Sequence, residues 1–536
     1  MNMIHQIRGY VLPGLLLITI VSGYSTQLHP YLWRLWYVWI LTVPLMLLGV
    51  YDLLQRRHSL LRNYPVLGHM RFLLEGAGPE LHQYFVESNT SGRPFDRDYR
   101  ALMYERAKNV EDKKPFGTEL DVYADGYTWL NHSLAPAQRP EDPVSAYRVQ
   151  VGEGRSSQPY SASVLNISAM SFGALGANAI MALNTAAKRG NFAHCTGEGG
   201  LSRYHREPGG DLIWQIGTGY FGCRAADGNF DPEMFREQAT LEQVKMVEIK
   251  LSQGAKPGHG GILPAAKVTP EIAEARRVPV GQDCDSPPGH KAFSTPIGLL
   301  EFVNQLRELS GGKPIGFKLC VGYPKELFAI CKAMLETRIL PDFITVDGAE
   351  GGTGAAPVEF SNHVGFPLNE GLLLVQNALV GCELRDQLKI AASAKLMTGF
   401  RMARALAMGA DWCNAARAFM FSIGCIQSQS CHTNTCPVGV ATQDARLGRA
   451  LNVSNKSERA YHFHRNTVGA LAEVVAAAGL DDPTQLCPDH IFERRNTTEV
   501  HTLSRIYNFI EPGQLLKGGA PEHLQDSWNS ASARSF

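Results

Sequence analysis

Between residues 163 and 420, short apolar runs alternate with stretches whose apolar residues recur at helical spacing. The runs are VLNISAM, FAHCTGEGG, LIWQIGTG, MVEIKLSQG, PIGFKLCVG, FITVDGAEGGTG, LKIAASAKLMTG and DWCNAARAFM. Most lead into glycine-rich loops, and patterns such as ANAIMALNTAAKRG and GFRMARALAMGA lie between several of them. Eight strands alternating with helices predict an α/β fold, a parallel (β/α)8 TIM barrel. In that architecture the loops at the C-terminal ends of the strands carry the chemistry.

The first 58 residues follow another pattern. Tyr10 to Leu28 contains no charge, and Leu35 to Leu54 contains one acid near its end. Each run is close to the ~20 residues that cross a bilayer, which predicts a two-helix transmembrane hairpin. A secretory signal peptide is the rival reading of the first run, but no small-residue cleavage site stands out and a second apolar run follows at once. Arg8 precedes the pair and Arg56, Arg57 and Arg62 follow it, whereas the connection offers only Arg34, beside Trp33, Trp36, Tyr37 and Trp39. That charge bias predicts an inner (cytoplasmic) membrane protein with its C-terminal part in the cytoplasm. Residues 59–160 read as a mixed helical connector, 161–450 as the barrel and 451–536 as a helical tail with a disordered polar end. His462 and His464, two apart on a helix, face different ways and make no metal pair.

Composition narrows the chemistry. The chain has 536 residues, and its 51 Lys+Arg equal its 51 Asp+Glu, with no basic patch interleaved with aromatics, so nucleic acid is not expected as a partner. A reducing compartment disfavours disulfides and makes clustered cysteines metal or redox ligands. Three of the 11 cysteines fall in one loop, GCIQSQSCHTNTCPVG, as Cys425, Cys431 and Cys436. Thiolates suit iron–sulfur ligation, and the proline after the last cysteine ends the loop as in ferredoxin runs. Zinc would need a fourth ligand, and His432 is adjacent to Cys431, which makes joint coordination awkward. The remaining cysteines, among them Cys195, Cys223, Cys320 and Cys413, read as core residues.

Two loops suit a phosphate: Asp347 to Gly354, whose glycines let backbone N–H groups approach closely, and Thr398-Gly399, which opens a helix. No G-x-G-x-x-G follows a strand, so a direct NAD(P)H site is not expected. A third loop, EIKLSQGAKPGHGG, carries Lys250, Gln253, Lys256 and His259, with Glu248 and Lys250 on one strand face. These lysines can bind carboxylates or a flavin ring.

GCIQSQSCHTNTCPVGVATQD resembles the iron–sulfur loop of the glutamate synthase FMN domain family. MSFGALG, TGEGG, IKLSQGAKPGHGG, SPPGHK, DGAEGGTGAAP and the TG…GAD stretch resemble its other motifs in the same order, over about residues 160–450. The resemblance implies FMN and a 3Fe-4S cluster held by Cys425, Cys431 and Cys436. It puts FMN over Ala169, Met170 and Ser171, its phosphate beside Asp347, Gly351, Gly352 and Gly399, and Ala415 and Ala416 close by. Gln253 and Lys318 would meet the pyrimidine edge, while Glu198, Lys250 and Lys256 would act catalytically on the substrate side. The implied reaction is reduction of the imine of 2-oxoglutarate and ammonia to glutamate, with a second reading in which another amino or keto acid is used. The implied electron donor is external: ferredoxin, a flavoprotein subunit or a membrane quinol. Oligomeric state, including a homo-oligomer, is left open. The family's N-terminal glutaminase domain has no counterpart at Met1-Asn2, and its β-helical domain finds no room after the cluster loop. Where the family tends to read SGRFG, this chain has Tyr220, which points to a different keto acid if that arginine serves the substrate carboxylate.

Overall fold

The computed structural model describes residues 9–536, so Arg8 and the Met1-Asn2 start lie outside the described residues. The chain forms two compact units, Met1–Asp98 and Tyr99–Phe536. The stretch read as one connector is thus divided between them.

The first unit contains α1 (Val11–Leu28) and α2 (Trp36–Leu54), joined by a 3-10 turn at Pro30–Leu35. Both helices are long and apolar enough to cross a membrane, with mean hydropathy 1.5 for the first and 1.8 for the segment Pro30–Leu54. They pack on each other through small and polar groups: the Trp39 indole donates to Ser22 Oγ at 2.9 Å and the Thr19 hydroxyl to Thr42 at 2.8 Å. A further helix, α3 (Gly68–Leu81), follows.

The second unit is built on a closed barrel of eight strands. They are β1 (Leu165–Ile167), β2 (His194–Cys195), β3 (Leu212–Ile216), β4 (Val244–Lys250), β5 (Ile315–Leu319), β6 (Phe343–Asp347), β7 (Lys389–Ser393) and β8 (Trp412–Ala415). Each neighbouring pair is parallel, and β8 closes on β1 with Ala415 opposite Ile167. All eight apolar runs become barrel strands. They are nearly continuous in apolar residues because helices cover one face and the barrel interior the other.

The helices begin where local chemistry caps them. Asp231, Thr295 and Thr398 accept backbone N–H bonds at the starts of Pro232–Ala239, Pro296–Leu309 and Gly399–Ala407. Proline stands at the first helical position of the first two, where its missing N–H costs nothing. At the N-terminal end of the barrel, an antiparallel hairpin of Arg148–Val151 and Tyr160–Ser163 plugs the interior. Its Val151 and Ala162 join one core with Cys195, Met246, Phe343 and Trp412.

The tail departs from expectation at its end. Val453–Ala477 is a long helix packed on Ala177–Gly190, as its pattern predicts. Its His464 is buried, with Nε2 at 3.0 Å from both Leu165 O and Ser163 Oγ and its ring stacked at 4.0 Å on Phe192. The polar end, expected to be disordered, forms a helix, Glu522–Ser530, docked on Pro324–Thr337. Leu524 and Trp528 are buried there, the Trp528 ring lies under Lys332 Nζ at 4.9 Å, and Lys332 donates to Ala531 O. Two apolar residues among many polar ones leave little sequence pattern, yet they suffice once a groove receives them. Trp528→Ala is expected to cost about 3 kcal/mol of unfolding free energy, read as a lower denaturant midpoint. An unchanged midpoint would mean that the tail is undocked in solution.

Candidate active site

The barrel interior below the mouth is closed by hydrogen bonds among side chains from different strands. Glu248 on β4 accepts from Gln215 Nε2 of β3 and from the Thr345 hydroxyl of β6, each at 2.6 Å. A buried carboxylate with two such donors is satisfied rather than reactive. One inward position higher, Lys250 ends β4 and lies beside Lys318 of β5 in register. Both lysines are buried.

The carboxylate that answers Lys250 comes from the loop after β2. Glu198 Oε1 lies 2.6 Å from Lys250 Nζ, which also donates to Gln253 Oε1. A side chain at Gly261 would collide with the Glu198 carboxylate, so the IKLSQGAKPGHGG loop wraps it through bare backbone. Burial works against ionising Glu198, but Lys250, Arg276 and Lys256 outweigh it and hold its pKa below the ordinary value. Lys250 moves down because burial outweighs its attraction to Glu198. Lys318 moves up: burial opposes its charge, and Asp347 and Glu248 overcome that. Lys256 is buried, makes no ion pair among the described residues, and falls to about 8 through burial and the nearby Lys250. The mouth therefore holds an ionised Glu198, a charged Lys318, and a buried Lys256 with no ion-pair partner among the described residues.

His290, from SPPGHK, steadies this arrangement. Its Nε2 lies 2.9 Å from Lys250 O and so carries the proton, leaving Nδ1 to accept from the Tyr220 hydroxyl at 3.2 Å. Burial drives its pKa down to about 4, which keeps it neutral. Tyr220 is fully buried with a left-handed φ of 50°, and its oxygen accepts from Lys291 N and Ala292 N at 3.0 Å. Position 220 thus secures the loop that holds His290.

Around the mouth stand the other predicted residues. Ala169, Met170 and Ser171 follow β1, and Ala415 and Ala416 end β8, whose Ala415 O accepts from Ser168 N. Asp347 Oδ2 accepts from Gly254 N at 2.9 Å, tying the lysine loop to the glycine loop after β6. Gly351 makes the turn through Gly348 O, and Gly352 to Gly354 are exposed. Arg417, which the sequence did not single out, packs its guanidinium on Gly352 and donates to Glu350 O at 3.2 Å. Gly399 is buried, and a Cβ there would strike the backbone at Ala470, so close helix packing accounts for this glycine.

The cysteine loop follows Arg417–Ser422 and is anchored from three directions. Tyr104 donates to Cys425 O at 2.6 Å, Gln443 Nε2 to Gly173 O and Leu175 O, and the buried Lys267 to Ala174 O and Cys431 O. Cys436 is buried, while Cys425 and Cys431 are half-buried. Burial, with the neighbouring thiols adding, pushes Cys425 up to about 12 and Cys431 upward, and Lys267 and Arg417 pull Cys431 back. Among the described residues no three His, Cys, Asp or Glu side chains are grouped as ligands to a single metal ion. Cys195, Cys223, Cys320 and Cys413 are buried, as core residues should be.

A closed barrel of eight parallel strands defines the class: a TIM-barrel protein, with buried lysines and a carboxylate gathered at the strand C-termini. Residues 142–481 match the family described as "Conserved region in glutamate synthase". The chain is 37% identical over 513 residues to the "Glutamate synthase large subunit-like protein YerD" of Bacillus subtilis, covering 88% of this chain and 97% of that one. It is 31% identical over 364 residues to the "Archaeal-type glutamate synthase [NADPH]" of Thermotoga maritima, covering 68% of this chain and 64% of that protein. Among solved structures, a mutant flavocytochrome b2 with pyruvate bound aligns at a TM-score of 0.41 and 12% identity, over 85% of this chain and 91% of its own. The chain belongs to the glutamate synthase family, whose named members are oxidoreductases acting on CH–NH2 donors.

Lys256 has a measurable signature. The unfolded lysine keeps its value of 10.5 while the folded one falls to about 8, so stability is lost as pH drops from the first value through the second. Lys256→Met is expected to raise stability near pH 7 by at most about 3 kcal/mol, with a smaller gain near pH 9.5. Urea unfolding of both proteins at the two pH values reads this directly, and no gain near pH 7 would show that the charge is already compensated.

Proposed function

We propose that this chain is an FMN- and iron–sulfur-dependent oxidoreductase that reduces the imine of 2-oxoglutarate and ammonia to glutamate, using electrons from an external donor such as ferredoxin or a flavoprotein subunit. The observation that carries this reading is the Glu198–Lys250 pair with Lys256 and Lys318 beside it, in a member of the glutamate synthase family. When bound, FMN supplies hydride transfer and an iron–sulfur cluster supplies single electrons.

The residues present fit both groups. The exposed glycine loop after β6 with the Arg417 guanidinium against it suits a phosphate, and backbone N–H groups there add donors. Lys318, kept charged by Asp347 and Glu248, suits the pyrimidine edge together with Gln253. Three thiols on one loop, with Lys267 and Arg417 within electrostatic reach of Cys431, would suit a cluster, which spreads its ligands over several irons. Cations near the sulfurs favour the thiolate form that ligation needs.

On the substrate side, Lys256 is the natural partner for a carboxylate, since binding an anion relieves its buried charge. Lys250 holds Glu198 through Oε1, leaving Oε2 to accept a hydrogen bond from the amine and orient it. His290 fixes Lys250 through its backbone carbonyl and so sets where Glu198 stands. Tyr220, engaged with His290 and backbone, offers no cation to a second carboxylate, and this favours the alternative that another amino or keto acid is the substrate.

We further read α1 and α2 as a membrane hairpin with the catalytic unit on the cytoplasmic side. Their length and hydropathy, the exposed Trp33, Trp36 and Tyr37 at the connection, and the arginines after α2 support this.

The chemistry is tested anaerobically in detergent: the chemically reduced protein is given 2-oxoglutarate and ammonium together while flavin absorbance is followed. Reoxidation with matching glutamate is expected, slowed about 100-fold or more by Glu198→Gln. A flavin that stays reduced would sink ammonia-dependent synthesis. Cys431→Ser is expected to retain FMN absorbance and lose the iron–sulfur electron paramagnetic resonance signal; an unchanged signal would remove Cys431 from the ligand set.

A further inference from the structure

The first unit carries an apolar surface that the spans do not explain. Beyond α2, eight large apolar side chains between Met70 and Val86 are exposed. On α3 four of them form one stripe, Met70, Leu73, Leu74 and Leu81 at i, i+3, i+4 and i+11 with Ala77 between them at i+7, while Phe72 at i+2 stands on the other side. Tyr84 and Phe85 extend the apolar surface through the wide turn His82–Val86. Leu73 is 72% exposed and Phe85 82%. Arg71, Glu75 and His82 lie off the stripe, and Arg71 pairs with Glu75 at 2.7 Å. A soluble helix would turn such a stripe toward a core.

The start of α3 is fixed to the end of α2. Asp52, fully buried near the C-terminus of α2, accepts from His69 Nε2 and from Val66 N, each at 2.9 Å. Gly68 packs on Leu61, which is buried. The helix therefore begins at the end of the second apolar span. Between residues 53 and 71 the chain has Arg56, Arg57, Arg62 and Arg71 and no Asp or Glu. A basic segment followed by an amphipathic helix of about 21 Å matches what lies in an anionic membrane surface.

We propose that α3 with the turn to Val86 is an interfacial helix, its stripe buried at the headgroup and acyl-chain boundary of an anionic bilayer. The inference rests on the membrane reading of α1 and α2, which supply continuity, and on the arginines, which supply charge complementarity. It adds a lipid-contact site to a segment with no other assigned role, and it sets the depth at which the chain leaves the membrane.

The test uses the full chain in nanodiscs of equal parts phosphatidylglycerol and phosphatidylcholine, with the photocrosslinker p-benzoylphenylalanine at one position at a time. Leu73 and Phe85 sample the stripe, Glu75 and His82 the other side, and Ile18 and Leu47 the spans. Mass spectrometry is expected to find lipid adducts several-fold more abundant at Leu73 and Phe85 than at Glu75 and His82. Lipid adducts at Ile18 and Leu47 with peptide crosslinks at Leu73 and Phe85 would overturn the proposal alone and make the stripe a protein interface, with the catalytic unit or with a second copy. Equal yields on both sides of the helix would overturn it as well. Lipid adducts at none of the six positions would overturn the membrane reading with it.

Discussion

The ion pair between Glu198 and Lys250 is what the barrel mouth depends on. Three lysines, Lys250, Lys256 and Lys318, are buried around one barrel mouth, where burial makes each charge costly, Lys318 repels Lys250 and Lys250 repels Lys256. Glu198 offsets the first, while Asp347 and Glu248 offset the third. Lys256 is left without an ion-pair partner among the described residues, and a carboxylate ligand would supply one.

The same logic ties the mouth to the cysteine loop. Arg417 lies against the glycine loop after β6 and also within electrostatic reach of Cys425 and Cys431. Lys267 spans from the loop after β1 to the carbonyl of Cys431. Arg417 thus links the cysteine loop to the glycine loop after β6, and Lys267 links it to the loop after β1. Gln443, donating to Gly173 O and Leu175 O, does the same with neutral bonds.

Much of this was legible in the residues. Barrel strands are short apolar runs ending in glycine-rich loops, and such runs show themselves because the constraint on them is local: both faces of the strand are buried. Lys250, Gln253 and Asp347 were visible as polar residues around strand ends, Lys318 only through the family resemblance, and the cysteine triplet by its spacing. Gly399 is harder to read, since a glycine at a helix start looks the same whether it admits a phosphate or a neighbouring helix, and Ala470 already fills the space a Cβ would take. The end of the tail misled for the opposite reason: Leu524 and Trp528 are too few to make a pattern, and only the surface they dock on makes them core residues.

What the chain's order of residues determined by itself was therefore everything with a short period or a tight motif: two apolar helices, eight strands, the loops that carry glycine, lysine and cysteine, and the family they belong to. What only the tertiary structure decided was which charges meet. Glu198 and Lys250 are joined across 52 positions, His290 and Lys250 across 40, and Lys267 and the Cys431 carbonyl across 164. No local pattern encodes such pairs, because a side chain's charge partner is chosen by barrel closure and loop packing, after the hydrophobic pattern has already settled the fold.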